Sequence, residues 1–219
     1  MKKEPLTLSI LQRSALDFCN LMSSLEHPNL LGVTDGKAVG TYVEHKFKDY
    51  LAERFDVEIG NSAYGIDLPS ENINTDIKVT SIMQPQSSCP FKSAEQKIYG
   101  LGYNLLVFVY SKTDTKNKCT LRFTHCTFID KHRTADYTLT KRLREMLEDK
   151  ANKDDIIAYL QDRNVPGDDI TYENLATKIL KNTPEQGYLT ISNALQWRLQ
   201  YGRIIELNNT VRGVLNHEW

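Results

Sequence analysis

The stretch NLLVFVYSK, at residues 104–112, is the feature that most limits how this chain can fold. From Leu105 to Val109 its residues are apolar at odd and even positions alike, whereas a strand with one exposed side alternates apolar with polar residues. Such a run is typical of a central strand whose two faces are both covered by other parts of the protein. The sequence therefore predicts a sheet that contains this strand in its interior.

Amphipathic helices are predicted before this strand, over residues 5–24 and 37–55, because apolar residues recur there at helical spacing. Residues 76–82 and 118–130 have the composition of strands, and a short helix is predicted to begin at Ser93. A strand, a helix and the buried strand in succession imply one right-handed crossover. The predicted fold is therefore α/β, of the α+β kind, with a mixed sheet.

The pattern changes about two thirds of the way along the chain, where helical periodicity replaces strands. We therefore predict a core over residues 1–136 and a mostly helical region over residues 137–219. Helices expected at about 153–164, 171–182 and 190–201, followed by two short strands, resemble a winged helix-turn-helix in which the third helix reads DNA. The alternative is a helical subdomain that supports the core or forms a dimer surface.

Charge is distributed unevenly along the chain, although the net charge is only -1. Residues 1–77 carry a net charge of -5 and residues 78–141 carry +6. A cationic segment beside an acidic one suits a polyanion that is held near a metal ion. Chance variation on a solvated surface is the alternative.

Three features of the sequence bear on the cellular compartment of the protein. No run of about 18 apolar residues is present, and the N-terminal sequence MKKEPLTLSILQRS is too polar for a secretory signal. The four cysteines have no CxxC spacing, so they are interpreted as reduced thiols rather than as a zinc site. These features predict a cytoplasmic protein.

Residues 65–81, GIDLPSENINTDIKVTS, place acids where a simple amphipathic strand needs none. Asp76 and Lys78 would share one face of a strand, and a turn over SENINT would bring Asp67 close to Asp76. Two converging carboxylates form the hard, oxygen-rich site that Mg²⁺ prefers, and Glu44 would add a third from the preceding helix. The alternative is that the aspartates cap turns and the lysine is a solvated strand residue.

The spacing Asp67-x8-Asp76-Ile-Lys78, after a helix that carries Glu44, resembles the PD-(D/E)xK nuclease superfamily. Over residues 37–130 the chain is most similar to a type II restriction endonuclease, with a restriction-endonuclease-like core. The resemblance implies that all four side chains are catalytic. Asp67 and Asp76 would be Mg²⁺ ligands, Glu44 an accessory acid that reaches the metal directly or through water, and Lys78 the catalytic lysine. The first aspartate follows an isoleucine here, where the superfamily pattern has a proline.

The activity that this resemblance implies is Mg²⁺-dependent, sequence-specific cleavage of double-stranded DNA that leaves 5′-phosphate and 3′-hydroxyl ends. A symmetric homodimer would match a palindromic site, with one active site for each strand. A cognate DNA methyltransferase is expected in the same system. The alternatives are a repair or junction-resolving nuclease on the same core and a non-catalytic winged-helix DNA-binding regulator.

DNA contacts are expected from two polar segments and from Lys97 of the short helix that begins at Ser93. The first, QPQSSCPFK at residues 84–92, follows the catalytic strand and is interpreted as a loop whose amides and hydroxyls suit base edges and phosphates; a polar surface loop is the alternative. The second is the predicted recognition helix. The side chains expected to contact DNA are Gln84, Gln86, Ser87, Ser88, Lys92, Lys97, Asn193, Gln196, Gln200 and Arg203.

Overall fold

The computed structural model describes residues 3–60, 65–89, 92–192, 197–207 and 209–219. Within these ranges, the strands are β1 (Glu4–Pro5), β2 (Phe55–Asp56), β3 (Thr75–Ser81), β4 (Gln86–Cys89), β5 (Asn104–Asp114), β6 (Cys119–Ile129), β7 (Thr190–Ile191), β8 (Trp197–Gln200) and β9 (Val214–Glu218). The helices are α1 (Leu8–Ser23), α2 (Gly36–Arg54), α3 (Glu95–Tyr99), α4 (Tyr137–Glu148), α5 (Lys153–Asp162), α6 (Asp169–Lys181) and α7 (Gly202–Ile205), with 3₁₀ turns at Pro28–Leu30 and Lys131–Arg133.

The central sheet has four strands in the order β3-β5-β6-β9, and its edge strand β3 carries Asp76 and Lys78. β3 runs parallel to β5, whereas β6 is antiparallel to both β5 and β9. The predicted mixed sheet is therefore confirmed. β5 contains the stretch NLLVFVY and lies between β3 and β6, in agreement with the burial predicted for both of its faces.

The two faces of β5 pack against different parts of the chain. On one face, Phe108 contacts Phe18 of α1 and Phe47 of α2, with ring centroids 5.7 and 4.9 Å apart. On the other face, Val107 lies in a second apolar cluster with Leu199 of β8. Burial on both faces explains why β5 is apolar at every position from Leu105 to Val109, since neither side meets water.

Helices α4, α5 and α6 pack around a third apolar cluster together with α3. Leu143, Leu160 and Ile179 are fully buried there. An Asn152–Asp155 capping box begins α5, since each side chain accepts a hydrogen bond from the other residue's backbone N–H. The helices predicted at about 153–164 and 171–182 are confirmed, with bounds that differ by a few residues.

The recognition helix predicted over residues 190–201 is wrong. The described residues of that segment form β7 and β8, which are antiparallel to each other. Leu199 and Tyr201 are buried while Arg198 and Gln200 are exposed, a period of two that belongs to a strand. Of the two short strands expected after it, the first is replaced by the short helix α7, whereas the second overlaps β9.

Part of the polar segment at residues 84–92 is a strand, although its composition predicts a loop. Its middle forms β4, which is antiparallel to β8. Together β4, β8 and β7 make a second sheet of three strands. The partner that converts this segment from a loop into a strand lies far along the chain, so local composition carries no sign of it.

The C-terminal region contributes directly to the central sheet, because β9 is its edge strand beside β6. A domain boundary at residue 136 therefore remains a prediction, with one strand from beyond it built into the core sheet. Among the described residues, no helix has the length and apolar character needed to cross a membrane.

Candidate active site

Strand β3 presents an aspartate and a lysine on one face. Lys78 Nζ lies 2.7 Å from Asp76 Oδ2, so the two side chains point the same way, as the strand period predicted. Ile77 between them is buried in the core on the opposite side. The side chains of Asp76 and Lys78 are only 7% and 19% exposed, which places this ion pair at the bottom of a recess.

A tight turn brings Asp67 to the same place. Leu68 and Thr75 exchange two backbone hydrogen bonds of 3.0 Å each, and Ser70 accepts the N–H groups that close the turn between them. Asp67 Oδ2 accepts a hydrogen bond of 2.8 Å from the backbone N–H of Ile77. The carboxyl groups of Asp67 and Asp76 are consequently in hydrogen-bonding contact, so the structure brings the two predicted acids together.

Gly60 allows the segment before Asp67 to approach closely. Its backbone N–H donates a hydrogen bond of 2.8 Å to the carbonyl oxygen of Asp67. A Cβ atom at this position would lie 2.0 Å from the carbonyl oxygen of Ile66. Any larger residue would therefore displace the backbone that carries the first aspartate.

Helix α2 supplies Glu44 and, one turn later, Lys48, which was not among the residues predicted for the site. Lys48 Nζ lies 2.7 Å from Glu44 Oε1 and also contacts Asp67 Oδ1. The signal that would have found Lys48 is its i,i+4 spacing from Glu44, which puts both side chains on one face of the helix. Lys48 therefore bridges the helix to the aspartate.

This bridge separates Glu44 from the aspartate pair. In the described part of the chain, no group of three or more His, Cys, Asp or Glu side chains is placed to hold one metal ion. Glu44 as a direct ligand beside Asp67 and Asp76 stays a prediction, and it would require Lys48 to move out of the way.

The pKa values of the two aspartates are shifted in opposite directions. Burial raises the pKa of Asp76 to about 7; Asp67 adds to the rise and Lys78 opposes it. Burial would also raise the pKa of Asp67, but hydrogen bonds from Asp76, Lys48 and the Ile77 N–H outweigh it and lower that pKa. The pair therefore retains one proton up to near-neutral pH, because two adjacent buried carboxylates resist carrying two charges.

Lys78 remains a cation in this setting. Burial would lower its pKa, but the charge and the hydrogen bond of Asp76 outweigh burial and raise it. The ammonium group is therefore available to stabilise negative charge rather than to accept a proton at neutral pH.

Two adjoining recesses open over these residues. The first, the acidic cavity, has a volume of about 660 Å³ and is lined by Glu44, Lys48, Asp67, Asp76 and Lys78 among others. The second, the polar groove, has a volume of about 750 Å³ and is also bordered by Glu44 and Lys78. Because they share these two side chains, a long ligand can occupy both recesses at once.

The polar groove contains several of the residues expected to contact DNA. Gln84, Gln86, Ser87 and Ser88 all border it. The hydroxyl of Ser87, however, lies 2.5 Å from the buried hydroxyl of Tyr201, so it is engaged with the core side of the second sheet. Since β4 is a strand rather than a loop, alternate side chains of this segment face the groove.

The other expected DNA contacts lie elsewhere. Lys97 is only 5% exposed, and this burial contradicts the phosphate contact predicted for it. Lys92 is exposed, although it does not line either recess.

In the C-terminal region, the Arg203 guanidinium stacks on the ring of Tyr137, 3.8 Å from its centroid. Gln200 is exposed on β8, directly opposite Gln86 in the register of the second sheet. The remaining two predicted contacts, Asn193 and Gln196, fall outside the described residues.

Comparison with known proteins identifies the family. The family described as type II restriction enzyme NspV matches residues 5–216 of this chain. The type II restriction enzyme NspV of Nostoc sp. (strain ATCC 29411 / PCC 7524) is 54% identical over 212 residues, covering 96% of each chain. The chain belongs to the NspV family of type II restriction enzymes. No match to a solved structure was found.

Membership of the NspV family confirms the predicted type II restriction endonuclease and makes the chain a site-specific deoxyribonuclease. The non-catalytic regulator considered as an alternative is therefore wrong. Membership of the NspV family does not by itself assign a role to Asp67, Asp76 or Lys78, and their geometry is the basis for assigning one.

Proposed function

We propose that this NspV-family enzyme hydrolyses double-stranded DNA with Mg²⁺ held by Asp67 and Asp76 and with Lys78 as its catalytic cation. The observation that carries the proposal is the convergence of both carboxylates and one ammonium group at the bottom of the acidic cavity. This is the constellation that the PD-(D/E)xK resemblance implies.

The donor set fits Mg²⁺. Two carboxylates that share one proton form a site where a divalent cation can replace that proton. Mg²⁺ binds through one or two carboxylates and otherwise uses water and phosphate oxygens, so a third protein acid is not required. When bound, the ion would polarise the scissile phosphate and lower the pKa of a bound water.

The protein groups have distinct tasks in this reaction. Lys78, kept protonated by Asp76, stabilises the negative charge that develops on the phosphate. Lys48 fixes the orientation of Asp67 and links it to Glu44. Water loses a proton to solvent and forms the new bond to phosphorus while the bond to the 3′ oxygen breaks, and that oxygen takes a proton from solvent. The products are a 5′-phosphate and a 3′-hydroxyl.

The polar groove is proposed to hold DNA beyond the scissile bond, with Gln84, Gln86 and Ser88 in contact with it. A homodimer would place a second active site on the opposite strand of a palindromic site. A cognate methyltransferase would protect host DNA from a cytoplasmic enzyme of this kind.

Cleavage of DNA of known sequence with and without Mg²⁺, followed by mapping of the ends, tests the proposal. We expect Asp76→Ala and Lys78→Ala to lose about 100- to 1000-fold or more in rate, because each removes charge at the reacting centre. Circular dichroism should report a folded chain in both. Asp17→Ala, an exposed aspartate on α1, is the matched control and should cut normally. Full activity in either active-site variant would end the assignment.

A further inference from the structure

The second sheet turns a row of polar side chains toward the solvent. In the register of β4 and β8, Gln86 lies opposite Gln200 and Ser88 lies opposite Arg198. Directly opposed residues of an antiparallel pair share a face, so these four side chains project together. The intervening Leu199 is fully buried on the other face. The sheet therefore has a polar outer face anchored by an apolar inner one.

Arg198 stands out on this face. It is exposed and borders the polar groove, which also reaches Glu44 and Lys78 of the acidic cavity. Two hydrogen bonds of 3.1 Å between its backbone and Ser192 hold its strand in place. Among the described residues, none forms an ion pair with its guanidinium, whereas Arg54, Arg133 and Arg142 each pair with a glutamate.

These features suit direct contact with bases. The major groove of DNA admits a two-stranded antiparallel ribbon, and arginine forms paired hydrogen bonds with O6 and N7 of guanine. An unpaired guanidinium on a fixed strand can make those bonds without first breaking an ion pair. Glutamine side chains on the same face have the donor and acceptor that adenine requires.

We propose that Arg198 is a specificity-determining residue that reads a guanine of the cleavage site from the outer face of the second sheet. The inference rests on the proposed function, since it takes the polar groove as the place where DNA continues past the scissile bond. It assigns sequence reading to β8, a strand, in the segment where a recognition helix was expected.

Equilibrium binding to short duplexes tests this inference. All proteins carry Asp76→Ala so that the DNA stays intact. One duplex contains the site mapped by plasmid digestion, and a second of equal length has that site scrambled. We expect Arg198→Ala to weaken binding to the first duplex about 10- to 100-fold while changing binding to the second about threefold or less. The slope of log affinity against log salt should stay nearly unchanged, because no phosphate contact is lost.

Single changes in the DNA locate the contact. Replacing the guanine that Arg198 reads by 7-deazaguanine should weaken binding when Arg198 is present and have no further effect in the Arg198→Ala protein. Arg212→Ala removes another exposed arginine outside the groove and controls for the loss of charge. Circular dichroism checks that both variants remain folded.

Two outcomes would overturn the inference. Equal weakening on both duplexes, with a salt slope smaller by about one, would mean a phosphate contact. Unchanged binding would mean that Arg198 does not touch the site. Failure of the proposed function is distinguishable, because it would be seen earlier as wild-type protein that does not cut DNA with Mg²⁺.

Discussion

At the scale of single residues, Lys48 is the side chain whose importance depends most on its surroundings. One ammonium group holds two carboxylates, Glu44 and Asp67, that come from different parts of the chain. Its side chain is only 14% exposed, so water contributes little to screening these contacts. Without Lys48, the carboxylates of Glu44 and Asp67 would face each other beside Asp76.

Replacement of Lys48 by alanine should therefore destabilise the metal-free protein by about 1–3 kcal/mol, because it removes two charge-assisted hydrogen bonds. Urea unfolding measures this. Addition of Mg²⁺ should restore more stability to Lys48→Ala than it adds to the wild type, because an acidic site with one less cation binds the ion more tightly. Lys46→Ala, an exposed lysine on the same helix, is the control. Equal responses of both variants to Mg²⁺ would contradict this role.

Metal affinity should depend on pH through Asp76. Its pKa is raised to about 7 by burial and by Asp67, so the metal-free enzyme holds a proton there below that pH. A divalent ion must displace the proton, so we expect Mg²⁺ affinity to rise about tenfold per pH unit up to about pH 7 and to level off above it.

Calorimetric titration below, at and above this pH, in buffers of different ionisation enthalpy, measures both affinity and proton release. Proton release should approach one per bound ion at the lowest pH and vanish at the highest. Affinity that does not change with pH would show that the ion does not displace a proton from the aspartate pair.

At the scale of secondary-structure elements, β8 is a strand because of its partners. Its alternation is short, and the leucines of the same segment also fit a helical spacing, so the local pattern is ambiguous. Pairing with β4 and β7 and burial of alternate residues against β5 decide in favour of the strand.

Adjacent substitutions in β8 should consequently differ sharply in stability. Leu199→Ala should lower the free energy of unfolding by about 2–5 kcal/mol, because it leaves a cavity in the second apolar cluster. Gln200→Ala, at an exposed position, should change it by about 0.5 kcal/mol or less. Urea denaturation of both variants is the measurement, and similar small losses at the two positions would argue against the strand.

At the scale of the whole molecule, the acidic cavity contains one pair of aspartates, Asp67 and Asp76, whereas a double-strand break needs two strands cut. Two copies related by a two-fold axis would supply one active site for each strand. The proposed homodimer therefore has a functional consequence that can be measured.

Sedimentation should give twice the mass of the single chain. Mixing wild-type enzyme with an excess of Asp76→Ala protein, under conditions of subunit exchange, should convert double-strand cleavage of supercoiled plasmid into nicking, since mixed dimers carry one active site. Linear product that falls only in proportion to the diluted wild-type enzyme, without accumulation of nicked circles, would contradict a dimer with one site per strand.

Much of the candidate site can be found from short-range sequence alone. Asp76 and Lys78 share a face because a strand has a period of two, and the SENINT turn is short enough to return Asp67 to its neighbour. β5 can also be predicted from its sequence, because burial on both faces leaves its apolar run unbroken. The buried stripe of α2 follows from helical periodicity, and that periodicity also orients Glu44.

Other features depend on contacts between distant segments. Lys48 is an ordinary surface lysine until the chain folds and Asp67 arrives beside it. β4 and β8 become strands only in each other's presence, and Lys97 becomes buried only when it packs near Asp136. Local sequence thus determines which groups can carry the chemistry, because periodicity and turns act over a few residues. Tertiary structure decides which groups meet, because hydrogen bonds and burial between remote segments exist only in the folded chain.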